Sequence, residues 1–278
     1  MGVAYAEVIG DPIDHSKSPL IHKLWLEKLG IEGDYRAMRV TPPDLSAYLA
    51  ARKTDPFWRG CNVTMPLKSS ATAMVDVTDP SSIWTGSTNC LFWNGRSLVA
   101  CNTDTTGIAM AVGDIRLQSE PAVIIGSGAA ARSALWVLRE KEVGEVRVIA
   151  RDPRVGAAQL TEFGLFGRVH DMSDAVAACS GAALVINATP LGMAGFPLMP
   201  ELILEGIRHT RTDGTIFDMV YFPARTELLA ESQRLGRRTV DGLTMLVEQA
   251  RDSFGKFFDG DARALRAFDP ELRELLAP

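Results

Sequence analysis

A chain of 278 residues, 46% hydrophobic and 23% charged, has enough apolar content for one large or two modest domains, each with its own core. A formal net charge of −5 offers no basic field to nucleic acid, and apolar runs such as Ala122-Val123-Ile124-Ile125 are too short to span a bilayer.

In chain order, apolar runs alternate with amphipathic stretches, the pattern of an α/β protein. Residues 3–9 read as a first strand ending at Gly10. Residues 19–29 read as a helix, with Leu20, Ile21, Leu24, Trp25 and Leu29 near helical spacing and Gly30 as its stop. A second strand is expected over 34–40, a helix start at Thr41-Pro42-Pro43-Asp44, and a turn after 60–63. Residues 91–93 and 98–100 flank Asn94-Gly95 and predict a hairpin, because Asn-Gly supplies the positive φ that a tight two-residue turn needs. From about residue 105 a second block begins, with buried strands expected over 122–125, 146–150, 183–187 and 215–218, as in a doubly wound parallel sheet. The last long segment, 241–258, keeps Leu243, Leu246, Val247, Ala250, Phe254 and Phe257 at helical spacing.

The start of the chain, Met1-Gly2-Val3-Ala4-Tyr5-Ala6-Glu7, lacks a basic region followed by a long apolar stretch, so no signal peptide is expected. Four cysteines, Cys61, Cys90, Cys101 and Cys179, form no CxxC pair and are expected to be buried, reduced thiols in a cytoplasmic protein. The four histidines show no ligand spacing, so no metal site is expected.

Gly126-Ser127-Gly128-Ala129-Ala130-Ala131 joins the strand at 122–125 to a helix at 130–138. In a G-x-G-x-x-A loop the first glycine permits the tight turn, the second lets the backbone approach a pyrophosphate, and the small last residue packs helix on strand. The next strand ends at Arg151-Asp152-Pro153-Arg154, where the cofactor's ribose is read. Arg151 and Arg154 suit the 2′-phosphate of NADP, whereas Asp152 suits the 2′-hydroxyl of NAD.

In the first block, Ser16 and Ser18 place two hydroxyls at a helix N-terminus. That suits a carboxylate ligand, but Ser18 before Pro19 is equally a plain N-cap, and spacing does not choose. Asn62 and Thr64 alternate with Cys61 and Val63 as on a strand with one polar face, and Lys68 follows Pro66. Lys68 and Asp104 brought together would make an acid/base pair; taken singly, a surface lysine and a helix-capping aspartate are the simpler account.

Six segments occur in one order: Ser16-Lys17-Ser18-Pro19; Asn62-Val63-Thr64-Met65-Pro66-Leu67-Lys68; Asn102-Thr103-Asp104; the Gly126 loop; Asn187-Ala188-Thr189-Pro190-Leu191-Gly192-Met193; and 241–250, from Asp241-Gly242-Leu243 to Gln249-Ala250. Together they resemble the shikimate dehydrogenase family over essentially the whole chain. The resemblance implies an α/β protein with a discontinuous substrate domain, 1–104 with 241–278, and a Rossmann NAD(P) domain, 105–240. It implies a small-molecule substrate, no membrane or nucleic-acid partner, and a monomer or homodimer. It implies Lys68 as catalytic acid/base with Asp104 as its partner. Ser16, Ser18 and Tyr221 would hold a substrate carboxylate, and Asn62, Thr64, Asn89, Asp104 and Gln249 the ring hydroxyls. Gly126, Ser127, Gly128, Ala129, Ala130, Arg151, Asp152, Arg154, Thr189, Met219 and Gly242 would line the NADP site. The expected reaction is NADPH-dependent reduction of 3-dehydroshikimate. The alternatives are an NAD-preferring quinate or shikimate paralogue and a non-catalytic NADP-binding sensor. Departures from the family pattern are Gly86-Ser87-Thr88-Asn89-Cys90, Thr105, Lys23 and the aspartate of Arg151-Asp152.

Overall fold

The computed structural model describes residues 2–261 and 263–276. The chain divides into two compact units. One holds the segment up to Thr106 and the segment from Val247 onward; the other is Gly107–Leu246.

The first unit opens with β1 (Ala4–Gly10), α1 (Ser18–Leu29), β2 (Gly33–Arg39), α2 (Leu45–Lys53) and β3 (Trp58–Val63). It continues through β4 (Val77–Thr78), α3 (Pro80–Thr85), the hairpin β5 (Cys90–Asn94) and β6 (Ser97–Cys101), and the start of α4 (Asp104–Val112). Its sheet runs β2-β1-β3-β5-β6-β4. Strand β1 pairs in parallel with β2 and β3, whereas β5 runs antiparallel to both β3 and β6. Tyr5, Ile9, Leu45, Leu49, Trp58, Leu67, Leu91 and Leu98 fill one buried core. The interior of β1 also carries a charge. Glu7 is fully buried and accepts from Arg52 Nε at 2.7 Å, Arg52 NH2 at 2.9 Å and Tyr48 Oη at 2.6 Å. That cluster pins α2 to the sheet, because a carboxylate out of water must be paired.

The second unit follows as β7 (Pro121–Ile125), α5 (Ala129–Glu140), β8 (Glu145–Ile149), α6 (Pro153–Phe163), β9 (Gly167–His170), α7 (Ala175–Cys179), β10 (Leu184–Asn187), α8 (Glu201–Arg208), β11 (Thr215–Asp218), α9 (Glu227–Arg234) and β12 (Arg238–Val240). All its strands are parallel, in the order β12-β11-β10-β7-β8-β9. The central strands are apolar on both faces, as expected of a sheet covered by helices on either side. Helix α10 (Gly242–Phe258) then begins in this unit and ends in the first, where α11 (Asp269–Leu276) follows. No helix among the described residues is long and apolar enough to cross a membrane.

The strand expected at 3–9 is shifted by one residue, and the turn expected after 60–63 follows a full strand, β3. Ser18 is not the N-cap of α1. Lys17 occupies that position without a side-chain cap, and Ser18 is the first helical residue, its side chain buried. The edge strands β4, β9 and β12 were not anticipated by the apolar pattern. All four cysteines are free and buried.

Candidate active site

Four connections leave the first sheet at one end. Strands β1 and β3 are parallel, so the loops after Gly10 and Val63 emerge side by side. They are tied by Asp11 N donating to Met65 O at 3.1 Å and Thr64 N to Ile9 O at 2.9 Å. Because β5 is antiparallel to β3 and β6 to β5, the residues before Cys90 and after Cys101 emerge there too. Asn62, Thr64, Lys68, Asn89 and Asp104 thus come to one sheet edge, the usual place for ligands in open α/β sheets.

Lys68 Nζ donates to Asp104 Oδ2 at 2.6 Å, with the two side chains 26% and 17% exposed. Asn89 Nδ2 donates to the other carboxylate oxygen, Oδ1, at 2.8 Å. Asp104 is the first residue of α4, where the helix dipole favours a negative charge. Both oxygens of Asp104 are therefore held, and one of the three ammonium protons of Lys68 is aimed. The remaining protons can meet a substrate oxygen. The Lys68 backbone is fixed in turn by Thr88 N donating to its carbonyl at 2.9 Å.

Around this pair lies a buried polar net. Asn89 Oδ1 accepts from Thr103 N at 2.6 Å and Thr103 Oγ1 at 3.1 Å. Gln249, on α10, brings Oε1 within 3.4 Å of both Asn89 Nδ2 and Thr103 Oγ1. Asn62 Nδ2 donates to Asn89 O at 3.2 Å and Ser253 Oγ at 2.8 Å. Thr103 and Ser253 were not singled out from sequence. Asn102-Thr103-Asp104 marked the place, but only the register of β5 on β6 aims the threonine at Asn89. Gln249 lies off the apolar stripe of α10 and is nonetheless buried, because this net and not solvent faces it. Ser16 lies on the loop after β1 and Ser18 opens α1, with Ser18 N donating to Ser16 Oγ at a long 3.4 Å. His22 is buried and stacked on Tyr35, with ring centroids 3.9 Å apart; burial alone pushes its imidazole down to about 3, so it stays neutral and structural. Tyr221 belongs to the second unit, beyond β11, and is exposed.

In the second unit, β7 runs into Gly126-Ser127-Gly128 and α5 starts at Ala129. Gly126 has φ +112°, and a Cβ there would lie 2.7 Å from Thr189 Cγ2, so only glycine lets the β7 loop close on the β10 loop. Helix α5 has Gly128 at its N-cap and no side-chain cap, and nothing lies within 4 Å of where a Gly128 Cβ would stand. An uncapped N-terminus under open space suits a pyrophosphate. Thr189 is held by its N–H and hydroxyl, both donating to Asn187 Oδ1, at 3.1 and 2.6 Å. Asp218 is fully buried and accepts from Asn187 Nδ2, Val220 N and Thr226 Oγ1; burial raises its carboxyl above the ordinary range. A Cβ on Gly242 would lie 2.4 Å from Met219 O, so this glycine is what brings those two candidates together.

Asp152 is spoken for. It caps α6 by accepting from Arg154 N at 3.0 Å and pairs with Arg154 Nε and NH2 at 3.0 and 2.9 Å. The Arg154 guanidinium beside it lowers its carboxyl pKa. Arg154 remains 91% exposed, free to turn outward. Among the described residues, no cluster of His, Cys, Asp and Glu could hold a metal ion.

Comparison with known proteins bears on this arrangement. A family model described as the shikimate dehydrogenase substrate binding domain matches residues 8–91. A protein of Sphingopyxis alaskensis named shikimate dehydrogenase (NADP(+)) is 42% identical over 275 residues, covering 98% of this chain and 96% of its own. A Rhizobium meliloti protein of the same name is 37% identical over 264 residues, covering 92% and 90%. The crystal structure of shikimate 5-dehydrogenase from Thermus thermophilus, in complex with NADP(H) and shikimate, superposes with a TM-score of 0.81 at 32% identity, covering 97% of this chain and 99% of that one. A Listeria monocytogenes shikimate 5-dehydrogenase, at 23% identity and a TM-score of 0.86, shares the fold over 95% of this chain and 96% of its own.

Proposed function

The chain belongs to the shikimate dehydrogenase family, and from that membership we propose that it interconverts 3-dehydroshikimate and shikimate with NADP(H). The observation that carries the reading is the Lys68–Asp104 pair at 2.6 Å with Asn89 on the second carboxylate oxygen. An intact proton-transfer pair argues for an enzyme over a non-catalytic NADP sensor.

In this reading the first unit takes the substrate and the second takes NADP. Ser16 and Ser18, assisted by Tyr221, hold the carboxylate. Asn62, Thr64, Asn89, Asp104 and Gln249 hold the ring hydroxyls, and the buried Thr103 is added to them. Gly126, Ser127, Gly128, Ala129 and Ala130 cradle the pyrophosphate, with Arg151 and Arg154 on the adenosine phosphate and Thr189, Met219 and Gly242 toward the nicotinamide. Bound NADPH supplies the hydride. As charge develops on the ring carbonyl oxygen, Lys68 stabilises it and gives up a proton; in the other direction Lys68 takes the hydroxyl proton. Asp104 keeps the Lys68 amine aimed, and Asn89 keeps Asp104 from turning away. The buried free thiols agree with a reducing, cytoplasmic setting.

The test is to follow reduced-nicotinamide absorbance with shikimate and quinate, each with NADP+ and NAD+. Fast turnover with shikimate and NADP+ is expected. Preference for quinate or NAD+ would replace the reading with the paralogue. Asp152 bears on the cofactor choice. Its Oδ1 caps α6 through Arg154 N whichever way the Arg154 side chain lies, so a 2′-hydroxyl would have to compete with the helix end for that oxygen. Arg154→Ala is therefore expected to raise KM for NADP+ about tenfold, a usual loss for one charge-assisted contact, and to leave KM for NAD+ unchanged. An equal change for both cofactors would remove Arg154 from phosphate reading.

A further inference from the structure

Asn62 can serve as a hydroxyl reader only if its carboxamide is held in one orientation, and the means of holding it lies a strand away. Tyr35, on β2, is fully buried, and its hydroxyl donates to Asn62 Oδ1 at 2.6 Å. A phenol has one proton, so that proton is committed to Asn62. With Oδ1 turned toward Tyr35, both Nδ2 protons are directed to Asn89 O and Ser253 Oγ. What remains of Asn62 is a single lone pair on Oδ1. The Tyr35 ring is in turn clamped by its stack on His22, interplanar angle 9°, and faces Phe257. Ser18 is a hydrogen-bond partner of the same phenol oxygen, which burial shifts well above the ordinary tyrosine range. Tyr35 therefore stays protonated and a donor.

We propose that Tyr35 is a positioning residue: its hydroxyl locks the Asn62 carboxamide so that Oδ1 presents an acceptor, and never a donor, to a substrate ring hydroxyl. The proposal rests on the shikimate reading above. The lock selects for a donor hydroxyl at that ring position and against a carbonyl or ether oxygen there.

Tyr35→Phe keeps the ring stack and removes the lock together with the hydroxyl's contact to Ser18, which the double variant below separates. Relative to wild-type enzyme turning over shikimate, the variant is expected to show a KM for shikimate about tenfold higher while kcat and KM for NADP+ stay within about twofold. A merely structural role would lower the melting temperature and leave that KM alone. Asn62→Ala supplies the coupling test. If Tyr35 acts through Asn62, adding Tyr35→Phe to Asn62→Ala changes KM no further. Unchanged KM in a folded Tyr35→Phe variant, or KM increases that multiply in the double variant, overturns the proposal. Ser253→Ala loosens the same carboxamide from its other end without touching the stack. It is expected to raise KM likewise; should Tyr35→Phe fail to fold, an unchanged KM in Ser253→Ala decides against the lock. A wild-type enzyme inactive on shikimate would instead sink the functional reading, a result read separately from any variant.

Discussion

Lys68→Ala is expected to lower kcat by about three orders of magnitude while KM for shikimate moves by no more than about threefold, because positioned acid/base groups contribute roughly 10²–10⁴ to rate and little to ground-state binding. The melting temperature should hold, since Lys68 is partly exposed and its removal leaves Asp104 still bonded to Asn89 and open to water. Lys68→Arg is expected to rescue little. A guanidinium keeps the charge but does not release a proton near neutral pH, so it separates electrostatic stabilisation from proton transfer. Steady-state kinetics on the three proteins decide the matter. Near-normal turnover in Lys68→Ala would remove the lysine from the chemistry, and full activity in Lys68→Arg would reduce its role to charge alone.

Arg52→Met should strongly destabilise the first unit. Glu7 has no exposed side-chain surface, and Arg52 supplies both its charge partner and two of its hydrogen bonds. Removing one partner of a buried pair costs about 3 kcal/mol or more, because the orphaned carboxylate is left in a low-dielectric core. A fall of about 10 °C in melting temperature is expected on that scale. Adding Glu7→Gln should recover part of the loss by removing the stranded charge, since Tyr48 and the new amide can still bond. If Arg52→Met alone melts like the wild type, water reaches Glu7 and the cluster is not the clamp on α2 that its burial indicates.

Much of this was legible in the residues, for reasons that can be named. The cofactor loop was readable because Gly126, at φ +112° and closed on Thr189, admits no side chain; Gly128 has an ordinary φ and open space over it, so its want of a side chain serves a ligand's approach and not the fold. The hairpin was readable because Asn94-Gly95 marks a tight turn, although β5 and β6 pair Asn94 with Ser97 and the two turn residues are Gly95 and Arg96, with Gly95 alone of the two at positive φ. The edge strands were not. Arg168 and His170 in β9, and Arg238 and Thr239 in β12, sit at a sheet margin where one side needs no apolar cover, so neither periodicity nor hydropathy marks them. The polar net around Asn89 was half legible. Lys68, Asp104 and Asn89 stand in distinctive strings, but Thr103, Ser253 and Tyr35 earn their places through pairings 14 to 191 residues apart along the chain. Ser18 misled in a smaller way. A serine before proline is the usual sign of a cap, but this hydroxyl is buried within the unit, and the helix end is left to Lys17.

The hairpin has a use at its far end. Chemistry gathers where β5 begins and β6 ends, and five residues of extended chain carry each strand about 17 Å away from it to the turn. Asn94, Gly95 and Arg96 at that tip are exposed. The tip is therefore a port: an epitope, fluorophore site or short sensor peptide spliced between Gly95 and Arg96 pays only the slowly growing cost of a longer loop, and the enzyme can be tethered or reported on from there while the chemistry at the other end of the strands runs undisturbed.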